Sequence, residues 1–180
     1  MAWFKRDKEG IQTAKEDQIQ APDGLWIKCP ECKKPSHVKE LEETNYVCPF
    51  CNHHQRIDSA TYFHILFDDS EWTELDAELV SADPLEFEDT KKYTDRVAAS
   101  QQKTGLKDAL RSGHGTIDGY PTVIAAMDFS FIGGSMGSVV GEKIARAIKY
   151  ATEHEHALIV IAKSGGARMM EGGLSLMQMA

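Results

Sequence analysis

Two short cysteine pairs constrain this chain more than any other feature. They read Cys29-Pro-Glu-Cys32 and Cys48-Pro-Phe-Cys51, they stand fifteen residues apart, and they hold all four cysteines of the 180 residues. This spacing is typical of a structural zinc site. Zinc held by four thiolates has no open position for a substrate. We therefore expect all four cysteines to bind one structural zinc ion and any chemistry to lie elsewhere in the chain.

Composition narrows the class of protein further. No stretch approaches about 18 apolar residues, so we expect no membrane span. The N-terminus lacks the apolar segment of a secretory signal. Closely spaced cysteines without an export signal are typical of metal ligands in a reducing compartment, which predicts a cytoplasmic protein. The net charge of −8 is concentrated in residues 68–95, where eleven acidic residues face two lysines.

The residue pattern divides the chain into four segments. We expect a mobile N-terminal arm over 1–25 and a zinc ribbon over 26–58, whose few apolar residues make it depend on metal for stability. A helical and acidic connector is predicted over 59–113. From 114 to 180 the pattern changes to that of an α/β domain, and we expect the chain to stop inside this domain.

Within this last segment, strands, glycine loops and helices alternate. Two strands are predicted around the Asp118-Gly119 turn, the second of them buried on both faces. A helix over about 138–153 is predicted to bury Val140, Ile144, Ile148 and Ala151. Another buried strand is expected over 158–162. We name residues 133–137 the first glycine loop and residues 164–168 the second glycine loop.

The second glycine loop is a candidate oxyanion site. A strand that ends in glycines before a helix leaves backbone N–H groups unpaired, and the helix dipole adds positive potential there. Such groups can stabilise a developing enolate oxygen. The same reasoning applies to the first glycine loop. The alternative for both loops is an ordinary tight turn between a strand and a helix.

Two other functions are weaker alternatives. Neither Ser135 nor Ser164 lies in a G-x-S-x-G motif, and nothing in the sequence pairs them with a histidine, so a serine nucleophile is disfavoured. Between Trp26 and Asp58 the basic and acidic residues number five each. A nucleic-acid-binding face needs a basic excess. Because Lys33 and Lys34 leave a local basic patch, nucleic-acid binding stays open as a minority alternative.

The ordered set of motifs resembles one family along nearly the whole chain, namely the bacterial acetyl-CoA carboxylase carboxyltransferase beta subunits. Its motifs are the two cysteine pairs, Cys51-Asn-His-His54, Gln102-Lys-Thr-Gly-Leu-Lys107, Met127 to Lys143, Ser164-Gly-Gly-Ala-Arg-Met169 and Ser175-Leu-Met-Gln-Met179. The resemblance implies a zinc ribbon followed by part of a crotonase-like (ClpP/crotonase) domain of ββα units. One departure is Met170, where the family usually has glutamine.

The resemblance also implies a reaction and its partners. A carboxyl group would pass from carboxybiotin, presented by a biotin carboxyl carrier protein, to acetyl-CoA, giving malonyl-CoA in the first step of fatty acid synthesis. The expected partners include an alpha subunit in an α2β2 assembly and biotin carboxylase. The implied oxyanion hole lies on the amides of Gly165 and Gly166. The residues expected to contact substrate are Gly133, Gly134 and Ala167. Acyl-CoA carboxylases for other acyl groups, and biotin-dependent decarboxylases of the same fold, remain alternatives.

Overall fold

The structure is a computed structural model that describes residues 25–178. The predicted arm over 1–25 therefore lies outside the described residues, except for Leu25. The described residues form two compact units, which divide between Arg56 and Ile57. In the part that is described, no helix is long and apolar enough to cross a membrane.

The first unit is a small two-stranded ribbon. Strand β1 (Trp26–Lys28) pairs antiparallel with β2 (Pro35–His37), and helix α1 (Val38–Glu43) follows directly. The His37 side chain caps this helix by accepting a hydrogen bond from the Lys39 amide at 3.2 Å. Few side chains are buried here, chiefly Leu41 and two of the cysteines. A core this small is consistent with a module that a metal ion stabilises.

The second unit is a four-stranded sheet with helices on both faces. Its elements in chain order are α2 (Ser59–Leu66), β3 (Trp72–Leu75), α3 (Tyr93–Thr104), β4 (Leu110–Ile117), β5 (Tyr120–Met127), α4 (Ser138–Glu153), β6 (Ala157–Ile161) and α5 (Gly172–Met177). The strand order is β3-β4-β5-β6. The first three strands are antiparallel, and β6 runs parallel to β5 after the α4 crossover. A parallel pair requires such a crossover.

Strand β5 forms the centre of the core because its side chains alternate between the two faces. Val123, Ala125 and Met127 pack on the side of α3 and α4. Ile124 and Ala126 pack on the other side against Phe63 of α2. The prediction that this strand is buried on both faces is confirmed. The predicted turn at Asp118-Gly119 also joins β4 to β5 as expected.

Three features differ from the sequence-based expectations. The segment 59–113 is not only helices and loops, because β3 lies within it and pairs with β4 in the main sheet. The buried face of α4 includes Lys143, whereas Ile148 is 49% exposed. Strand β6 is at the edge of the described sheet, so Ile159 and Val160 are 38% and 44% exposed. Periodicity alone shows neither which strands pair nor which one has no outer neighbour.

Candidate functional site

The four cysteines of the first unit converge on one point. The Sγ atoms of Cys29 and Cys51 are 3.7 Å apart, and those of Cys32 and Cys48 are also 3.7 Å apart. All four sulfur atoms lie within 4.8 Å of one another. Four thiolates about 2.3 Å from one tetrahedral zinc ion would be spaced by nearly the same distance. The sulfur arrangement therefore fits a tetrahedral four-thiolate metal site.

The two cysteine turns have the same pattern of backbone hydrogen bonds. Cys29 donates its N–H to the carbonyl of Lys34, and Cys48 donates to that of His53, each at 2.8 to 2.9 Å. The fourth residue after each first cysteine, Lys33 or Asn52, returns a hydrogen bond to that cysteine's carbonyl. Both residues have positive φ, 61° and 58°. The two turns are thus equivalent in backbone hydrogen bonding and in backbone conformation.

In the second unit the two glycine loops lie side by side. The Gly165 N–H donates to the Gly133 carbonyl at 3.0 Å, and the Met136 N–H donates to the Gly166 carbonyl at 2.8 Å. The Arg168 N–H then donates back to the Met136 carbonyl at 2.8 Å. These bonds make a short parallel bridge between Met136 and Ala167. The loops therefore form one surface beside the end of β6.

The glycines of this surface fall into two classes. A Cβ on Gly134 would lie 2.4 Å from the Lys163 carbonyl oxygen, and a Cβ on Gly165 would lie 2.7 Å from the Gly133 oxygen. Packing between the loops therefore requires these two glycines. A Cβ on Gly133 or Gly166 would meet no atom within 4 Å, although both have positive φ. The open side of these two residues is where another molecule can approach the backbone closely.

The amides of the second glycine loop differ in availability. The Gly165 N–H is already paired with Gly133, and the Gly166 N–H is held by the exposed Ser164 hydroxyl at 3.0 Å. Successive peptide groups along an extended segment face opposite sides. Since Gly166 and Arg168 use their backbone groups on Met136, the Ala167 N–H faces away from that bridge. The Gly165 N–H is thus used between the loops, the Gly166 N–H is bound by an exposed side chain of its own loop, and the Ala167 N–H faces away from the bridge.

The helix expected directly after the second glycine loop is absent. A short 3-10 turn over 169–171 follows instead, and α5 begins only at Gly172. Gly172 and Gly173 are thus the first residues of the helix and do not interrupt it. Any stabilisation of an oxyanion at this loop therefore comes from the N–H groups themselves and not from a helix dipole.

Behind the surface lies a buried group of polar side chains that the sequence analysis did not find. We name Arg168, Asp108, Glu171 and Tyr93 the Arg168 cluster; each is at most 1% exposed. Arg168 binds both oxygens of Asp108, at 2.7 and 2.9 Å, and donates to the Tyr93 hydroxyl at 2.9 Å. Tyr93 in turn donates to Glu171 at 2.6 Å. The only sequence signal was the spacing of Arg168 and Glu171 on one helical turn, and nothing marked Asp108.

Electrostatics explain why this cluster remains charged when buried. Burial alone would lower the pKa of Arg168, but Asp108 outweighs it and raises that pKa. Burial would raise the pKa of Glu171, but hydrogen bonds from Ser81, Tyr93 and Ser138 lower it. The Ser138 contact is a backbone N–H at the start of α4, 2.6 Å from the carboxylate. A carboxylate is favoured at that position because the helix N-terminus carries positive potential.

Neither of the two loop serines has a hydrogen bond to a histidine of the described residues. Ser135 accepts a hydrogen bond from the Arg168 side chain, and Ser164 binds within its own loop. His114, His154 and His156 gather around Tyr150 instead, with ring centroids 4.0 to 5.7 Å from the tyrosine ring. Met170 is buried and belongs to the same hydrophobic core cluster as Tyr93.

Two family models match the chain. The carboxyl transferase domain matches residues 69–180, and the acetyl-CoA carboxylase zinc finger domain matches residues 26–51. The chain belongs to the carboxyl transferase domain family.

Curated relatives and solved structures agree with this family. The acetyl-coenzyme A carboxylase carboxyl transferase subunits beta of Pedobacter heparinus and Amoebophilus asiaticus are 59% and 57% identical over the whole chain. The chain spans 64% of the length of each. A 12S transcarboxylase structure with methylmalonyl-coenzyme A bound matches with a TM-score of 0.56 and 25% identity, over 69% of this chain and 22% of the other. The second unit accordingly has the crotonase-like carboxyl transferase fold.

Proposed function

We propose that this chain provides the beta-subunit surface of an acetyl-CoA carboxylase carboxyltransferase. It would transfer the carboxyl group of carboxybiotin, carried on a biotin carboxyl carrier protein, to acetyl-CoA. The names of the curated relatives support the reaction. The observation that supports the site is the outward-facing Ala167 amide next to the Gly166 amide, whose hydrogen-bond partner is the exposed Ser164 hydroxyl, beside glycines that leave room for a thioester.

The chemical role of this surface would be to stabilise negative charge. When the methyl group of acetyl-CoA loses a proton, charge develops on the thioester oxygen. Two N–H groups aimed at that oxygen stabilise the enolate more than the ground-state carbonyl, which lowers the barrier. Ser164 would release the Gly166 N–H by rotating its exposed hydroxyl. Gly134 would allow the two glycine loops to pack closely, and Gly133 would leave room for the substrate to approach the backbone.

The experiment removes one amide hydrogen and leaves the rest of the loop in place. Ala167→Pro deletes the Ala167 N–H, and Ala167→Ser keeps it with a side chain of similar size. In a malonyl-CoA-forming assay with the alpha subunit and carboxylated carrier protein, Ala167→Pro should lower kcat roughly 100-fold, the loss typical of one oxyanion donor. Ala167→Ser should stay within about threefold of the parent because its backbone donor remains. Equal rates for the two variants would refute the oxyanion role.

The partners belong to the same proposal. An alpha subunit, in an α2β2 assembly, would complete the site, and biotin carboxylase would recharge the carrier protein in the cytoplasm. Acetyl-CoA as the acyl substrate rests on the names of the relatives. Turnover of propionyl-CoA faster than acetyl-CoA would instead favour a carboxylase for another acyl group.

The four cysteines would hold one zinc ion with a structural role. The residues that would bind it are Cys29, Cys32, Cys48 and Cys51, and four protein thiolates leave no position for substrate. Bound zinc would link the two turns and so stabilise a module that has only a small hydrophobic core.

Nucleic-acid binding by the ribbon is the second candidate function, and exposed aromatic rings favour it. Trp26 is 62% exposed and Phe50 is 50% exposed, with the Lys34 ammonium 4.8 Å above the Phe50 ring. Exposed rings beside lysines can stack on bases and contact phosphates. Binding of single-stranded RNA that weakens steeply with salt, and is lost in Trp26→Ala, would support this candidate. Salt-independent or undetectable binding would exclude it.

A further inference from the structure

Arg168 follows Ala167 in the chain, so the Arg168 cluster is attached to the backbone one residue after the two amides. Its side chain uses every guanidinium nitrogen: Nε donates to the Ser135 hydroxyl, Nη1 to Tyr93, Asp108 and Glu171, and Nη2 to Asp108 and the Ser135 carbonyl. Ser135 belongs to the first glycine loop. A side chain from the second glycine loop therefore contacts the first.

The backbone of Arg168 is held as firmly as its side chain. Its N–H donates to the Met136 carbonyl at 2.8 Å, and its carbonyl accepts a hydrogen bond from the buried Ser175 hydroxyl at 2.8 Å. The Ser175 hydroxyl also contacts the Met136 carbonyl at 2.9 Å. The peptide that links Ala167 to Arg168 thus has fixed neighbours on its C-terminal side, which restricts the direction of the preceding amides.

Glu171 and Gly137 provide further contacts between the Arg168 cluster and the first glycine loop. The Glu171 carboxylate binds the Ser138 N–H, so it ties the start of α4 to the cluster. A Cβ on Gly137 would lie 2.5 Å from a Glu171 oxygen and 2.9 Å from Arg168 Nη1. The backbone of the loop therefore rests directly on the charged groups, with no side chain between them.

We propose that Arg168, held by Asp108 and Glu171, is a positioning residue that fixes the direction of the Gly166 and Ala167 amides. The effect of Arg168 on catalysis rests on the proposed function, whereas its effect on the conformation of the loop does not. Arg168 touches no reacting atom; it acts through the loop that it anchors. Lysine cannot replace it, because a single ammonium cannot bind Asp108, Tyr93 and Ser135 in the fork geometry of a guanidinium.

The test compares two ion pairs of the same chemistry in the same unit. Arg168→Lys and Asp108→Asn weaken the cluster. Arg111→Lys weakens the pair between Arg111 and Glu74 on neighbouring strands, where Nε donates to the carboxylate at 2.9 Å. Each substitution is made in the complete carboxyltransferase. Hydrogen–deuterium exchange of the peptide covering residues 164–168 is measured first, followed by kcat and KM for acetyl-CoA.

A positioning role predicts a specific pattern. Exchange of the 164–168 amides should become faster in Arg168→Lys and Asp108→Asn and stay unchanged in Arg111→Lys. In the first two variants kcat should fall at least about tenfold while KM stays within about twofold, since the lost stabilisation acts in the transition state only. Parental exchange in a folded Arg168→Lys variant would overturn the proposal.

The outcomes separate this inference from the proposed function. If the parent enzyme does not carboxylate acetyl-CoA, the proposed function fails, and the exchange data still decide whether Arg168 fixes the loop. If Arg168→Lys and Asp108→Asn both fail to fold, Arg168 stabilises the whole unit and the positioning role is refuted. If KM rises with kcat unchanged, the cluster affects substrate binding and the proposal is also wrong.

Discussion

Two adjacent glycines of the first glycine loop allow the packing between the loops to be measured. Gly133 and Gly134 have nearly the same backbone angle, with φ of 64° and 65°. Replacing either with alanine places a Cβ in the left-handed region. The two differ in surroundings, since the new Cβ would meet open space at Gly133 and the Lys163 carbonyl oxygen, 2.4 Å away, at Gly134.

The expected magnitudes follow from this difference. The left-handed conformation should cost each alanine variant roughly 1–2 kcal/mol of unfolding free energy. Gly134→Ala should lose a further 1–3 kcal/mol or so, because the backbone of one loop must shift to relieve the overlap. That shift would move residues 163–165 relative to the first glycine loop.

The assay is urea unfolding followed by the fluorescence of Trp72, which lies in β3 of the second unit. Trp3 and Trp26 are replaced by phenylalanine in all variants so that only the second unit is observed. Gly134→Ala should unfold at clearly lower urea concentration than Gly133→Ala, with the same slope. If the two variants differ by less than about 0.5 kcal/mol, the loops are not in the close contact described, and the reasoning about packing is refuted.

Three further predictions concern other parts of the chain. Cys48→Ser should abolish the binding of about one zinc ion per chain and unfold the ribbon while the sheet of the second unit persists, as metal analysis and amide NMR spectra would reveal. Burial, with neighbouring histidines, lowers the pKa of His114. Because the unfolded chain then takes up the proton more readily, stability should fall as pH drops below about 6.5, and His114→Gln should flatten this dependence in thermal melts. Phe63→Ala should lose about 3–5 kcal/mol because the ring is fully buried, whereas Tyr120→Ala, at a ring that is 74% exposed in the same unit, should change stability by less than about 1 kcal/mol in the same urea titration.

Much of the fold could be predicted because it depends on local pattern. The helix over 138–153 and the Asp118-Gly119 turn lie where the sequence placed them, since spacing and turn chemistry act between near neighbours. Strand β3 was missed because its four residues become a strand only by pairing with β4, more than thirty positions away. The burial of Lys143 was missed for a similar reason, as its ammonium binds the Leu110 carbonyl of another element.

The candidate site, like the fold, could be predicted from the sequence only in part. The sequence by itself determined the four thiolates and the two glycine loops, because cysteine spacing and glycine runs specify chemistry and backbone freedom locally. Only the tertiary structure decided which amides are available: Gly165 is paired across the loops, while the Ala167 amide faces outward. It also brought Asp108, Arg168 and Glu171 together beneath that surface. The physical reason is that hydrogen-bond partners and burial depend on contacts between distant segments, which no local pattern contains.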